Sequence, residues 1–466
     1  MLLTIEKLIY GGDGLARLAA DERGRGKAVF TPFVLEGEKI DGRIVEEKPG
    51  YARASVDGII DASPQRIAAP CPYFTRCGGC HYQHTNYEHQ LQIKREILQE
   101  TLRRTAKIEL DTEIEVHPSP PWNYRNRSRL QVRTRPEFML GYFKAASQEV
   151  LAVEECPISS PLINRGISAA WKLGREGRIP EGIREIEFFA NADDAEMLVE
   201  LSCAADGRRS AVREFAEELR LAMPAISGVV AVRHPAGGRS PDRTSSGDVL
   251  SRKNSGIDRT PGALHRLVVI GNDHLIYRTQ TGGYRVSAGS FFQTNRFMID
   301  ELVRIVTQGR AGESAFDLYA GVGLFSTGLG DIRHIVSVES SQTSTGDLSY
   351  NLPSNGKAVQ ATTEQYLARL DDSGRSGKGA VLPHTSYLPD LTVVDPPRSG
   401  LGERVARSLA KVGAPVLIYV SCDPATLARD LAVLLAGGYR IEGAHLVDLF
   451  PQTYHIESVV ELRKPS

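Results

Sequence analysis

The sequence predicts a multidomain α/β protein with an OB-like β-barrel at the N-terminus, a central α+β region, and a C-terminal, mainly parallel sheet. Three observations lead there. A chain of 466 residues is too long for one hydrophobic core, and length alone suggests roughly three domains. Residues 1–60 hold short β-favouring runs separated by glycines. From about residue 286, short continuous apolar runs alternate with longer segments.

The N-terminal runs are Leu2-Leu3-Thr4-Ile5, Lys27-Ala28-Val29-Phe30-Thr31 and Glu38-Lys39-Ile40, with Gly11-Gly12 and Gly37 as breakers. Short strands and glycine turns fit a small barrel of the kind that binds oligonucleotides. Residues 85–105 predict a helix: Leu91, Leu98 and Leu102 share a face, and Lys94, Arg95, Glu100, Arg103 and Arg104 supply charge. In YRNRSRLQVRTR, residues 124–135, alternation places Arg125, Arg127, Arg129, Arg133 and Arg135 on one face of a strand. Leu130 and Val132 face the other way. The arginine stripe is expected either to hold RNA phosphates or to be a solvated face. Residues 234–261, rich in Ser, Gly, Pro, Arg and Asp, read as a mobile surface insertion, and 371–379 as a shorter polar one.

The C-terminal runs are Ser314–Tyr319, His334–Val338, Leu391–Val394, Val416–Val420 and Ser458–Leu462. Such runs indicate strands buried on both faces of a sheet. Domains are therefore expected at 1–60, 61–285 and 286–466.

Composition bounds the function. Hydrophobic content of 41% and charged content of 24% are those of a soluble globular protein. No apolar stretch is long enough for a membrane helix, and MLLTIEKLIYGG has no secretory pattern. A cytoplasmic monomer without membrane association is expected. The net charge of −1 excludes wholesale coating by nucleic acid but not a local basic patch. In a cytoplasmic protein, six cysteines point to metal or catalysis rather than disulfides.

Phe316-Asp317-Leu318-Tyr319-Ala320-Gly321-Val322-Gly323 places a GxG turn after the first run. Glycines there let a ligand approach the backbone at the carboxyl end of the sheet. The next run ends at Glu339, which can accept hydrogen bonds from ribose hydroxyls. Strand, GxG turn and strand-ending acid together suggest a class I (Rossmann-like) methyltransferase domain, with another nucleotide-binding fold as the alternative. Asp395-Pro396-Pro397-Arg398 ends a further strand and fixes Asp395 at the cleft rim. Enzymes that methylate amino groups carry an aromatic after such a proline pair, and Arg398 argues against that chemistry.

The Val416–Val420 run leads directly into Ser421-Cys422-Asp423-Pro424, which points Cys422 into the same cleft. A thiolate there could add to C6 of uracil and make C5 nucleophilic. A base must then remove the C5 proton, and Glu457 and His455 are both candidates. The bland alternative for Cys422 is a buried structural cysteine. Cys71, Cys77 and Cys80 follow a C-x5-C-x2-C spacing, with Cys156 far downstream as a fourth thiolate. Zinc and a [4Fe–4S] cluster both suit four cysteines. Gly78-Gly79 and all-cysteine ligation favour iron–sulfur, while His81 and His84 keep zinc in play. Cys203, in VELSCA, reads as core.

Taken together, these strings resemble the RNA uracil-C5 methyltransferase family that includes the 23S rRNA enzymes, over nearly the whole chain. Residues 1–60, with Tyr10-Gly11-Gly12-Asp13-Gly14, look like its TRAM domain, an OB-like RNA-binding barrel. Cys71, Cys77, Cys80 and Cys156 match its [4Fe–4S] ligands, which makes the middle region an iron–sulfur α+β domain. Gln293 of GSFFQTN, Tyr319, Glu339 and Asp395 fall on its S-adenosyl-L-methionine positions. Cys422 in SCDPATLARD resembles its nucleophile, and Glu457 in FPQTYHIE its proton-abstracting base, which selects Glu457 over His455. The helix matching 85–105 packs with the catalytic domain in that family.

The bacterial transfer-RNA branch lacks the cluster, so the resemblance implies 23S rRNA as substrate, with tRNA as the alternative. A non-catalytic RNA-binding iron–sulfur protein is a more distant one. Unstacked RNA loops are the expected targets, because the uracil must leave any stack to meet Cys422. Two positions depart from the family pattern: Ala320 stands where cysteine is usual, and Thr362 lies near a position often acidic.

Overall fold

The computed structural model describes residues 1–18, 26–204, 207–233, 265–375 and 388–465. The expected insertion at 234–261 and residues 376–379 of the polar stretch lie outside the described residues, while 371–375 continue a helix.

The N-terminal strands form one six-stranded sheet in the order Leu2–Thr4, Lys39–Glu47, Tyr51–Asp61, Ala28–Pro32, Asp13–Arg17, Lys7–Leu8. It wraps a small core of Leu3, Ile5, Ala16, Val29, Val34, Ile40, Ala52 and Ala54. Gly11 and Gly12 both take positive φ, a conformation open to glycine at little cost. A side chain at Gly12 would also press on the His81 ring.

The middle of the chain builds a seven-stranded sheet whose centre is Arg127–Arg133, Ile183–Ala190 and Met197–Cys203. Helices Pro161–Arg175 and Arg209–Ala222 share its apolar core. Cys203 is buried there. In the Arg127–Arg133 strand, Leu130 and Val132 are fully buried, as alternation requires. The opposite face is not the free cationic stripe expected from the sequence. Glu187 on the neighbouring strand accepts hydrogen bonds from Arg127 Nε at 2.7 Å and Arg129 Nε at 2.8 Å. Arg135 pairs with Glu181.

The C-terminal sheet has eight strands in the order Gly356–Gln360, Ile332–Glu339, Gly312–Leu318, Leu391–Val394, Val416–Ser421, Glu457–Arg463, Arg440–Val447, Glu115–His117. The first five are parallel, and Glu457–Arg463 runs antiparallel to both neighbours. Apolar clusters cover both faces, which is why these strands read as unbroken hydrophobic runs. The edge strand Glu115–His117 comes from the middle of the chain. None of the helices among the described residues is long and apolar enough to cross a membrane.

Helix Tyr87–Ala106 begins at Asn86, whose side chain accepts from His89 N, and ends at Lys107 in the left-handed conformation. Its Ile93, Ile97, Leu98 and Leu102 join the core of this C-terminal sheet with Leu417, Leu427 and Leu431. Lys94, counted from sequence among the helix's charged positions, is wholly buried. Its Nζ donates to Asp448 Oδ1 at 2.6 Å and to the Phe450 carbonyl at 2.9 Å. Asp448 also accepts from the Tyr87 hydroxyl. Removing one partner of a buried ion pair strands the other charge. Lys94→Met is therefore expected to lower unfolding free energy by about 3–5 kcal/mol in chemical denaturation; a loss below ~1 kcal/mol would show the pair to be unimportant.

Candidate active site

Pairing of Leu318 with Val338 and Val394, and of Val394 with Tyr419, brings several strand exits to one edge of the sheet. Tyr319, Glu339, Asp395 and Cys422 leave the sheet along this carboxyl edge. Ser458 pairs with Ser421, so Glu457, one residue before it, enters the sheet beside Cys422.

At the turn, Gly321 and Gly323 adopt positive φ, and so does Tyr319, a non-glycine. The Gly321 N–H donates to Glu339 Oε2 at 3.0 Å, so the acid that ends the second strand also braces the turn. Asp317, buried beneath, accepts from the Ser326 N–H. Burial, with Glu339 nearby, pushes its carboxyl up to about 6. Burial pushes the Tyr319 phenol up to about 12. Gln293 is buried in a segment pinned by Asn126, whose Nδ2 donates to the Gln293 carbonyl. Neighbouring Phe292 packs in the same cluster as Val322 and Leu324 of the turn. Thr362 Oγ1 accepts from Gln365 N while Gln365 Oε1 accepts from Thr362 N, a reciprocal cap on the helix that follows.

Cys422 is half-buried, immediately before Asp423. The Asp423 carboxylate accepts from the N–H groups of Ala425 and Thr426, and Pro424 occupies the first helical turn, a well-formed helix start. Burial raises the Cys422 thiol far above its ordinary range, with Glu457 and then Asp395 adding to it and Arg398 opposing. Glu457 is itself raised well above the usual carboxylate range by burial and then by Asp395. Burial, and then Asp317, push Asp395 up to about 7. The site thus favours the protonated forms of the thiol and of both carboxyls.

His455 differs. Burial, and then the guanidinium of Arg398, hold its imidazole well below the ordinary value, with Arg398 Nη2 3.4 Å from both ring nitrogens. A depressed imidazole is a poorer proton acceptor than a raised carboxylate.

Three participants had little sequence signal. Arg398 stands out in DPPR only by not being aromatic. Tyr10, from the N-terminal sheet, donates its hydroxyl to the Cys422 carbonyl at 3.2 Å and packs edge-on against Tyr454. Arg125, predicted to lie on the exposed stripe, instead turns into a cavity lined by Cys71, Cys77, Cys80 and Cys156. Its Nε is buried without a hydrogen-bond partner. Burial pushes the Cys77 thiol up to about 11, with Cys156 and Cys71 contributing.

The four-thiol cavity suits a cationic, thiophilic group. Among the described residues, the one set of three or more potential ligand atoms mutually within 4.8 Å lies elsewhere. These sulfurs are therefore spread wider than the ~3.8 Å that Zn–S bonds of ~2.3 Å impose in a tetrahedral site. Neighbouring His81 and Tyr82 donate their N–H groups to the Gln452 carbonyl at 2.8 and 3.0 Å, tying the cysteine segment to the loop that leads to Glu457.

This fold recurs in the tRNA (uracil-54, C5)-methyltransferase of Pyrococcus abyssi, solved with S-adenosyl-L-homocysteine. The TM-score is 0.70, over 99% of this chain and 100% of that one, at 24% identity. The C-terminal unit is thus a Rossmann-like methyltransferase fold. The profile of the tRNA (uracil-5-)-methyltransferase family matches residues 267–465. Along 99% of the chain and 97% of the relative, the sequence is 32% identical to an Aquifex aeolicus protein named "Uncharacterized RNA methyltransferase". It is also 29% identical to the 23S rRNA (uracil(1939)-C(5))-methyltransferase RlmD of Pseudomonas syringae, covering 98% and 92% of the two chains. The chain belongs to the RNA uracil-C5 methyltransferase family.

Proposed function

We propose that the protein methylates C5 of a uridine in 23S rRNA, with Cys422 as nucleophile and Glu457 as base. The observation that carries this reading is the juxtaposition of Cys422, ending one strand, with Glu457, beginning its neighbour. S-adenosyl-L-methionine supplies an electrophilic methyl group; Gln293, Tyr319, Glu339 and Asp395 are assigned to hold it along the strand exits. Cys422 Sγ gives its proton to a neighbouring carboxylate and bonds to C6 of the flipped uracil. Charge then builds on C5, which takes the methyl group. Glu457 accepts the C5 proton, and the electrons of that C–H bond expel Sγ from C6. Each proton leaving a group here enters a carboxylate whose raised affinity suits it.

The pH dependence follows in sign. A carboxyl with raised pKa stays protonated to higher pH, and only its ionised form accepts a proton. Methyl transfer is expected to climb by up to ~10-fold per unit below about pH 7 and to level off above it, tracking Asp395, whereas release follows Glu457, raised well above the usual carboxylate range. A flat single-turnover profile of methyl transfer would exclude Asp395 as the acceptor.

Cys71, Cys77, Cys80 and Cys156 are assigned to a [4Fe–4S] cluster, which would bind the segment bearing His81 and Tyr82 into a rigid unit. N-terminal residues 1–60 are assigned to RNA as a TRAM-type barrel. The reading is tested by mass-spectrometric mapping of 5-methyluridine in 23S rRNA and tRNA from cells with and without the protein. A 23S position lost with the protein supports it, and loss confined to tRNA would move the substrate. Anaerobically purified protein should carry iron and sulfide, whereas stoichiometric zinc at the thiols would refute the cluster.

A further inference from the structure

We propose that Glu115, His117 and His445 form a binding site for one zinc-like divalent cation, separate from the cysteine cavity and the catalytic cleft. Glu115 and His117 are two apart on the edge strand and so share a face. His445 pairs directly with Glu115 across the ladder. His117 Nε2 lies 3.0 Å from His445 Nδ1, which is 3.3 Å from one Glu115 oxygen; the other oxygen is 3.6 Å from His117 Nε2. A cation with bonds of ~2.0–2.2 Å to nitrogen and oxygen holds its ligand atoms at roughly this spacing.

The surroundings are those of a built site. His117 Nδ1 is 2.7 Å from Glu301 Oε1, so a carboxylate fixes the tautomer that leaves Nε2 free to ligate. Glu301 is held in turn by Arg304, whose Nε and Nη2 both donate at 2.7 Å. The nearby Glu461 carboxylate is occupied by Arg310. The set grades from buried His117 to Glu115, whose side chain is 63% exposed, giving access to solvent and leaving water as the remaining ligand. Two imidazoles and one carboxylate suit zinc or a neighbouring first-row ion.

Such an ion would clamp the edge strand to Arg440–Val447. It would also stabilise the folded chain, because its ligands come together only on folding.

The test uses the full-length protein with its thiols occupied by an assembled cluster, stripped of adventitious metal by a chelator and titrated with Co2+. We expect one Co2+ per chain with a nitrogen/oxygen-ligand spectrum lacking thiolate charge-transfer bands, displaced by Zn2+, and a raised thermal midpoint. His445→Gln should weaken Co2+ binding at least ~100-fold, and Glu115→Gln, at an exposed position that leaves folding intact, at least ~10-fold. Affinity unchanged in Glu115→Gln, or no stoichiometric binding by the parent at ~100 μM Co2+, would overturn the proposal.

Discussion

Cys422→Ala is expected to reduce methyl transfer by at least ~10⁴-fold while leaving S-adenosyl-L-methionine affinity within about twofold. The effect is large because no other group beside the uracil can take over. Glu457 and Asp395 are carboxyls, and Tyr10 reaches only the Cys422 backbone. Without a bond at C6, C5 never gains the electron density it needs. The side chain is half-buried on a helix N-terminus whose cap, Asp423, is untouched by the substitution, so the fold should persist. Labelled-methyl transfer and calorimetric cofactor binding, measured on the same preparation, separate chemistry from binding. Substantial turnover by the alanine variant would remove the covalent mechanism.

The second large effect is expected at Glu457. Glu457→Gln keeps the shape and removes the proton acceptor, so C6–Sγ bond formation and methylation proceed but release does not. Turnover should fall by ~10²–10⁴-fold, and a protein–RNA species should accumulate that survives denaturing electrophoresis. His455→Asn should accumulate none, since burial, and then Arg398, already keep that imidazole a weak acceptor. An adduct in the His455 variant but not in the Glu457 variant would exchange their roles.

The parallel sheet was legible because strands buried on both faces leave continuous apolar runs, and the GxG turn because Gly321 and Gly323 need positive φ. Cys422 was legible because it directly follows such a run. Alternation in 124–135 correctly separated Leu130 and Val132 from the arginines. It could not reveal that Glu187 arrives in register with Arg129 from another strand and pairs with both Arg127 and Arg129. Lys94 was misread for a related reason. A lysine on an amphipathic helix looks solvated unless its counter-charge, Asp448, is known to lie opposite. The three-residue edge strand Glu115–His117 carries too short a pattern to register, and its role depends wholly on the Arg440–Val447 strand it joins.

The bond from Lys94 to Asp448 spans 354 positions of sequence, with a consequence for biosynthesis. Helix Tyr87–Ala106 emerges from the ribosome long before the polypeptide that neutralises and covers it, so its apolar side must await nearly complete translation. A fragment cut at the apparent boundary near residue 286 would forfeit that helix and the sheet's outer strand together. The smallest autonomous enzyme is consequently expected to begin upstream of Tyr87, far from where the methyltransferase signature starts.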